Sequence, residues 1–228
     1  MTEFTTWRSL VDGEKIGAIP DSVVSLYDFG DNSDSSIIVD IQSGFDMSVT
    51  GSIYSSSEPQ VGVNHGDFDD GEFAETDKTD FDLVSDGETG EFSMFGWGKD
   101  WNDSLRNGIF YGENNDNYVS ITNRNGDLTI FSEQPSGTAE FSTSHDFDDY
   151  AHFYAEFTDS DVTVYIDGEE VGTSSMSTDI TDIAESRLVM MTRPAQDESG
   201  GEGLLDDVGF ANRHLTDDEL DNIIGRAD

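Results

Sequence analysis

Apolar and polar residues alternate in short runs along most of the chain. Residues 161–166 (DVTVYI) show the pattern clearly, because every second position holds valine or isoleucine. A period of two is typical of a strand that buries one face, and clusters of Gly, Asn and Asp between the runs indicate turns. Residues 55–80 are acidic, and we expect them to form mainly loops. The pattern predicts strands over residues 22–29, 37–41, 45–54, 81–84, 91–97, 108–112, 117–122, 127–133, 139–143, 150–157, 161–166, 169–173, 187–192 and 203–210.

About a dozen short strands without a repeat of fixed period indicate an all-β sandwich or jelly roll. One short helix is expected after the last strand. Thr216 and Glu219 have the spacing of a capping box, so the helix should begin near Asp217. Leu215, just before the cap, can pack on Leu220 as a hydrophobic staple. The prediction is one β-sandwich of about 12 strands with a short C-terminal helix.

The first twenty residues have weak periodicity, with isolated apolar side chains such as Phe4 and Trp7. We expect residues 1–20 to form an arm and residues 21–228 to form the sandwich domain. The arm could dock on a neighbouring copy through Phe4 and Trp7, or it could fold back on its own domain.

The chain has 50 acidic and 10 basic residues, a net charge of −40. Such charge often indicates disorder, but 15 Phe, 7 Tyr and 3 Trp are spread along the alternating segments. We therefore expect a folded protein whose carboxylate-covered surface is adapted to molar salt, where the Debye length is about 3 Å. The sequence offers no basic patch to neutralise phosphates, so we expect no nucleic-acid or membrane partner.

The sequence contains no cysteine, which excludes disulfides and thiolate metal sites. Residues 1–20 contain acids and no apolar run long enough for a signal peptide or a membrane helix. We therefore expect no export through an N-terminal signal.

Four segments resemble a known family. They are residues 91–99 (EFSMFGWGK), residues 150–157 (YAHFYAEF), residues 161–171 (DVTVYIDGEEV) and residues 203–220. In order and spacing they resemble the laminin-G-like, concanavalin A-like jelly-roll domains, in the form found in surface proteins of haloarchaea and their viruses. The resemblance extends over residues 20–225 and implies a fold far more than a function, because the superfamily contains lectins, glycosidases and structural modules.

The family resemblance implies a structural Ca²⁺ ion. Asp206 and Asp207 interrupt an otherwise apolar strand, where an unpaired charge is costly and a hard cation would bind carboxylates. Alternatively, one of the two is exposed and the other hydrogen-bonds loop amides, or pairs with Arg187 or Arg213. The ligands that the resemblance implies are Asp206, Asp207, Asp28, Asp34 and Asp40.

Three aromatic residues near predicted turns, Trp101, Tyr111 and Tyr118, could form a platform on which sugars stack, although aromatic residues on sandwich strands are usually core. The four histidines are too scattered for a ligand motif, and His152 lies where the family uses the residue structurally.

A glycosidase of this superfamily needs paired carboxylates on a strand. The nearest match is residues 75–80 (ETDKTD), which carries a lysine and lies in a predicted loop. Chance supplies such triplets easily in so acidic a chain, so we expect no enzymatic activity.

The leading hypothesis is a non-enzymatic structural and adhesive protein on the virion surface of a virus of halophilic archaea, in a turret, spike or tail fibre. It would assemble with copies of itself and other virion proteins, and could bind glycans of the host surface layer. The second hypothesis is a secreted or cell-surface carbohydrate-binding module of a halophile. The third is a glycoside hydrolase.

Overall fold

The structure, a computed structural model, describes residues 19–30, 36–42, 44–55, 59–61, 64–77, 91–101, 107–114, 116–134, 137–145, 147–158, 160–176, 187–193 and 201–225. These residues form sixteen strands and one helix. The strands are β1 (Val23–Tyr27), β2 (Ile37–Ile38), β3 (Met47–Thr50), β4 (Tyr54–Ser55), β5 (His65–Phe68), β6 (Phe73–Glu75), β7 (Phe92–Lys99), β8 (Gly108–Asn114), β9 (Asn117–Arg124), β10 (Asp127–Gln134), β11 (Gly137–Ser144), β12 (Ala151–Phe157), β13 (Asp161–Ile166), β14 (Glu169–Ser175), β15 (Arg187–Met190) and β16 (Gly203–Ala211), and the helix is α1 (Asp217–Ile224).

The strands form two antiparallel sheets of eight strands each. The first sheet has the order β14-β13-β12-β7-β16-β5-β4, with β1 also paired to β16, and the second has the order β11-β10-β9-β8-β15-β6-β3-β2. One buried cluster joins side chains from both sheets, such as Phe92 and Phe153 from the first and Ile121 from the second. The predicted all-β sandwich with a short C-terminal helix is therefore confirmed, although the described residues form sixteen strands rather than about 12, because several are only 2 to 4 residues long.

The outer face of the first sheet is covered by the C-terminal helix. Thr216 accepts a hydrogen bond from the Glu219 N–H, and the Glu219 side chain accepts one from the Thr216 N–H, which completes the predicted capping box. Leu215 and Leu220 share a buried cluster with Tyr154 of β12, as the staple requires. The described part of the chain contains no helix long and apolar enough to cross a membrane.

The strand predicted over residues 45–54 is in fact two strands in different sheets. β3 belongs to the second sheet and β4 to the first. Gly51 lies between them with φ of +112°, a backbone conformation that favours glycine. The chain crosses from one sheet to the other here. A period of two cannot reveal such a crossing, because it does not specify which sheet a strand joins.

Residues 55–80, expected to form mainly loops, also contain two short strands, β5 and β6, that the sequence analysis does not locate. Strands of 4 and 3 residues, separated by acidic turns, are too short to show a period. The predicted strand at residues 81–84 lies outside the described residues, and so does the arm up to residue 18 with Phe4 and Trp7.

The closing strand β16 changes neighbours along its length. Its first residues pair with β5, with Leu205 opposite Gly66, and its last residues pair with β1, with Val208 opposite Tyr27. A bulge lies between the two pairings, and Asp207 there has φ of +47°. The bulge breaks the alternation, which is why both Asp206 and Asp207 are fully buried.

Candidate functional site

The outer face of the second sheet carries a shallow depression, which we name the outer groove. Its empty volume is about 250 Å³, including the open mouth. It is lined by Phe110, Tyr118, Ser120, Thr122, Arg124, Thr129, Phe131 and Arg193.

Strand register explains why these side chains meet. Ser120 of β9 lies opposite Phe110 of β8 and opposite Phe131 of β10, so the three side chains form a row across one face. The residues between them in sequence, such as Val119 and Ile130, point the other way into the shared core. The outer groove is therefore the polar and aromatic side of the central strands.

Three aromatic rings form the base of the outer groove. The ring centroids of Phe110 and Tyr118 are 5.9 Å apart, and those of Tyr118 and Phe131 are also 5.9 Å apart. Phe110 and Tyr118 are buried, whereas Phe131 is only partly buried. Phe131 is thus the ring of this cluster that remains accessible to a ligand.

Two arginines pack on these rings. The guanidinium carbon of Arg193 lies 5.8 Å from the Tyr118 ring centroid, and that of Arg124 lies 6.0 Å from the Phe131 centroid. Such contacts attract a cation to the negative face of the ring. Arg124 also pairs with Glu140 of β11 at 2.6 Å. The outer groove therefore has positive groups at two points, in a chain of net charge −40.

The Tyr118 hydroxyl is held in its protonated form. Burial raises the pKa of Tyr118 to about 12, with a smaller contribution from its hydrogen bond to Glu133, while the charge of Arg193 opposes the rise. Hydroxyl groups continue along the groove: Thr122 Oγ1 donates to the Thr129 carbonyl at 3.3 Å, and the Thr129 and Ser142 hydroxyls are 2.9 Å apart. The groove offers donors, acceptors and one accessible ring, and no carboxylate lines it within the part of the chain that the structure describes.

The three aromatic residues predicted as a stacking platform do not form one. Trp101 and Tyr111 belong to the main core, where Trp101 stacks on Phe147 with centroids 4.6 Å apart. Tyr118 lies in the outer groove but is itself buried. The accessible ring, Phe131, is not among the predicted residues. The sequence does contain a pattern that indicates its outward position, because Phe131 is out of phase with the core positions Leu128 and Ile130.

The predicted calcium ligands have other partners. Asp206 accepts the backbone N–H groups of Gln60 at 2.9 Å and Val61 at 2.8 Å on Oδ2, and that of Asp207 at 2.9 Å on Oδ1. One aspartate thus holds loop amides, as the alternative expected, but the other is not exposed, because Asp206 and Asp207 are both fully buried. Burial raises the pKa of Asp206 well above its usual range, although the three amide donors oppose the rise.

Asp40 is also satisfied by hydrogen bonds. It accepts from Ser25 Oγ, Leu26 N, Gln42 N and Phe45 N, at 2.7 to 3.1 Å. Asp28 accepts the Gly30 N–H at 3.0 Å, and Asp34 lies outside the described residues. No group of three or more His, Asp or Glu side chains within the described ranges could hold a metal ion. Because the loop at residues 31–35, with Asp34, lies outside the described residues, the calcium site stays a prediction.

Two other residues considered in the sequence analysis, Glu75 and His152, are held by neighbouring side chains of the sandwich. Glu75 of β6 forms an ion pair with Arg187 of β15, and residues 78–80 of the carboxylate segment lie outside the described residues. His152 is fully buried next to Trp97, with centroids 5.2 Å apart, and burial lowers its pKa to about 3. A histidine held neutral in this way has the structural role that was expected for it.

A two-sheet antiparallel sandwich with an aromatic and hydroxyl-lined groove on one outer face defines a lectin-like jelly-roll domain. The chain belongs to the concanavalin A-like lectin/glucanases superfamily, whose sequence model matches residues 69–221, more than half of its length. No curated protein sequence matches the chain.

Solved structures share the fold at low sequence identity. Domain 4 of AbnA, a GH43 extracellular arabinanase from Geobacillus stearothermophilus solved in complex with arabinotriose, has a TM-score of 0.64 at 16% identity, covering 91% of this chain and 98% of that one. The binding domain of botulinum neurotoxin serotype D has a TM-score of 0.65 at 14% identity, covering 90% and 51%. The binding domain of botulinum neurotoxin DC, in complex with rat synaptotagmin II, has a TM-score of 0.61 at 13% identity, covering 92% and 53%. The chain thus spans about half the length of these neurotoxin domains, and the likeness shows the fold alone.

Proposed function

We propose that the chain is a non-enzymatic glycan-binding module that holds a sugar in the outer groove. The observation that carries this proposal is the accessible Phe131 ring, set among serine and threonine hydroxyls and flanked by Arg124 and Arg193. Sugars present an apolar ring face and a rim of hydroxyls, so they match one accessible aromatic ring surrounded by hydrogen-bonding groups.

The size of the outer groove limits what it can hold. Its empty volume of about 250 Å³ includes open solvent, so the groove encloses little space. A sugar unit or a chain end would rest on the open face beside Phe131, and the rest of a glycan would extend across the sheet. A contact area this small predicts weak binding by a single domain. An assembly that presents several copies of the groove should bind more strongly.

The structural relatives support the same ligand class. The arabinanase domain was solved with an oligosaccharide, arabinotriose, and the alignment covers almost all of that domain. A sugar ligand for this chain is a proposal that rests on the outer groove together with this likeness.

The absence of enzymatic activity is also part of the proposal. Glycoside hydrolysis needs two positioned carboxylic groups beside the scissile bond. Among the described residues, those that line the outer groove include no carboxylate, and Glu75, the first acid of the predicted segment, is held by Arg187.

The proposal is tested by screening glycans against the folded chain and two variants. Phe131→Ala should lower the affinity for any bound glycan by about tenfold, because a ring contact is lost. Phe131→Tyr should retain binding, since it keeps the ring. Val171→Ala, which trims an exposed apolar side chain on β14 of the other sheet, is the matched control. Unchanged affinity in Phe131→Ala would place the ligand elsewhere.

We further propose a setting for this module: the virion surface of a virus of halophilic archaea, in a turret, spike or tail fibre, with host surface glycans as ligand. The net charge of −40 supports adaptation to high salt. Copies of the chain and other virion proteins would be its partners, with residues 1–20 as the docking arm. The alternative setting is a secreted or cell-surface module of a halophile. Finding the chain in purified particles, rather than in cell envelopes, separates the two.

A further inference from the structure

We infer that the sugar bound in the outer groove is acidic, and that its carboxylate pairs with Arg193. This inference rests on the proposed glycan-binding function and specifies the ligand class of that same site.

The first observation is that Arg193 has no acidic partner among the described residues. Four arginines lie in the described part of the chain, and three of them pair with a carboxylate there: Arg124 with Glu140, Arg187 with Glu75 and Arg213 with Glu219. Of these four arginines, Arg193 is the one with no ion pair to a described carboxylate, although the whole sequence contains 50 acidic residues. Arg193 is therefore the described arginine best suited to pair with an anionic ligand.

The second observation is the support beneath Arg193. Its guanidinium group lies 5.8 Å from the ring centroid of Tyr118, which is itself buried. Packing on an aromatic face restrains the guanidinium plane while its N–H donors lie along the edge, the arrangement that binds a carboxylate through two parallel hydrogen bonds. A lysine could not reproduce this geometry, because its ammonium group is a point charge without a planar fork.

The third observation is the composition of the groove itself. Its described lining residues include two arginines and no acidic side chain, whereas the chain as a whole has five times as many acidic as basic residues, 50 against 10. Glu140 and Glu133 flank the groove, where they are occupied by Arg124 and the Tyr118 hydroxyl. A ligand carboxylate placed at Arg193 would therefore contact a positively charged side chain rather than a negatively charged one.

The net charge of −40 does not prevent this contact at high salt. At molar ionic strength the Debye length is about 3 Å, so the distant carboxylates are screened while a direct contact is much less affected. Acid recognition should thus persist in molar salt, and it should depend on Arg193 rather than on total charge.

The test uses a matched pair of probes with the full chain in molar salt: an oligoglucuronate, and the same oligosaccharide with its carboxylates reduced to primary alcohols. Calorimetric titration should show the acidic probe binding about tenfold to a hundredfold more tightly. Arg193→Gln should abolish that preference and leave the affinity for the reduced probe within about threefold, because only the charged contact is lost. Arg193→Lys should restore only part of the preference.

Lys99→Gln, which removes one positive charge from the first sheet, is the charge-matched control and should leave the preference unchanged. Near-UV circular dichroism of each variant establishes that it is folded. Equal affinity for the two probes, or a preference that survives Arg193→Gln, would overturn the inference. If both probes bind equally and Phe131→Ala weakens both, the proposed function stands without acid recognition. If no sugar of any charge binds, the proposed function itself fails.

Discussion

Asp206 accepts the backbone N–H of Val61 at 2.8 Å, although the two residues are 145 positions apart in the chain. The contact holds the loop at residues 60–61 against the closing strand, at the bulge where β16 changes its neighbour from β5 to β1. The same carboxylate also accepts the N–H groups of Gln60 and Asp207. One buried side chain thus satisfies three backbone donors.

Replacing Asp206 should therefore destabilise the sandwich. Asp206→Ala leaves three buried N–H groups without an acceptor, and we expect a loss of about 3–5 kcal/mol in the free energy of unfolding. Asp206→Asn should cost less, since one amide oxygen can still accept from the loop. Urea unfolding in molar salt measures both. Equal stability of Asp206→Ala and the parent chain would show that this contact is dispensable.

The ion pair between Arg213 and Glu219 predicts a defined pH dependence. The Arg213 hydrogen bond lowers the pKa of Glu219 from 4.5 to about 2, so the stability that it contributes is complete above pH 4.5 and is lost as the pH falls towards 2. Glu219→Gln keeps a capping-box residue but removes the charge. The difference in melting temperature between this variant and the parent should shrink as the pH falls from 4.5 to 2. A constant difference across that window would contradict the assignment.

The fold was more predictable from the sequence than the site was. Alternation located β7, β12 and β13, and the pair Thr216 and Glu219 located the helix, because these signals are local. The crossing at Gly51 and the short strands β5 and β6 depend on which sheet a segment joins, and local patterns do not carry that information.

The outer groove could be predicted only in part. Phe131 and Tyr118 are out of phase with the core positions of their strands, which indicates an outer face. Their proximity depends on the register of β9 against β10, which pairs Phe131 with Ser120 and leaves Tyr118 beside it. Arg193, which follows β15 and is distant in sequence from β9 and β10, reaches the same face. Such long-range pairings are set by the whole fold.

High net negative charge predicts a dependence on salt. We expect the chain to lose tertiary structure when the ionic strength is lowered from molar salt to about 50 mM. The Debye length is then longer, so the carboxylates repel one another over a greater distance. Near-UV circular dichroism reports on the loss of fixed aromatic packing. A spectrum unchanged over this range would rule out salt adaptation and weaken the proposed halophilic setting.

The proposed docking arm gives a separate prediction. Deleting residues 1–20 should leave a folded sandwich, because the main buried cluster of the described residues begins at Tyr27. The truncated chain should no longer assemble with its partners. Its incorporation into particles, compared with that of the full chain, is the readout, and normal incorporation would refute the docking role.

Mapping a bound glycan onto the backbone tests the central claim most directly. The isotopically labelled chain is titrated with the tightest sugar from the glycan screen, and amide chemical shifts are followed in molar salt. We expect the largest chemical-shift changes at Ser120, Phe131 and Arg193, with little change on β13 and β14 of the first sheet. Changes centred on the first sheet, or at the bulge around Asp206, would contradict a sugar site in the outer groove.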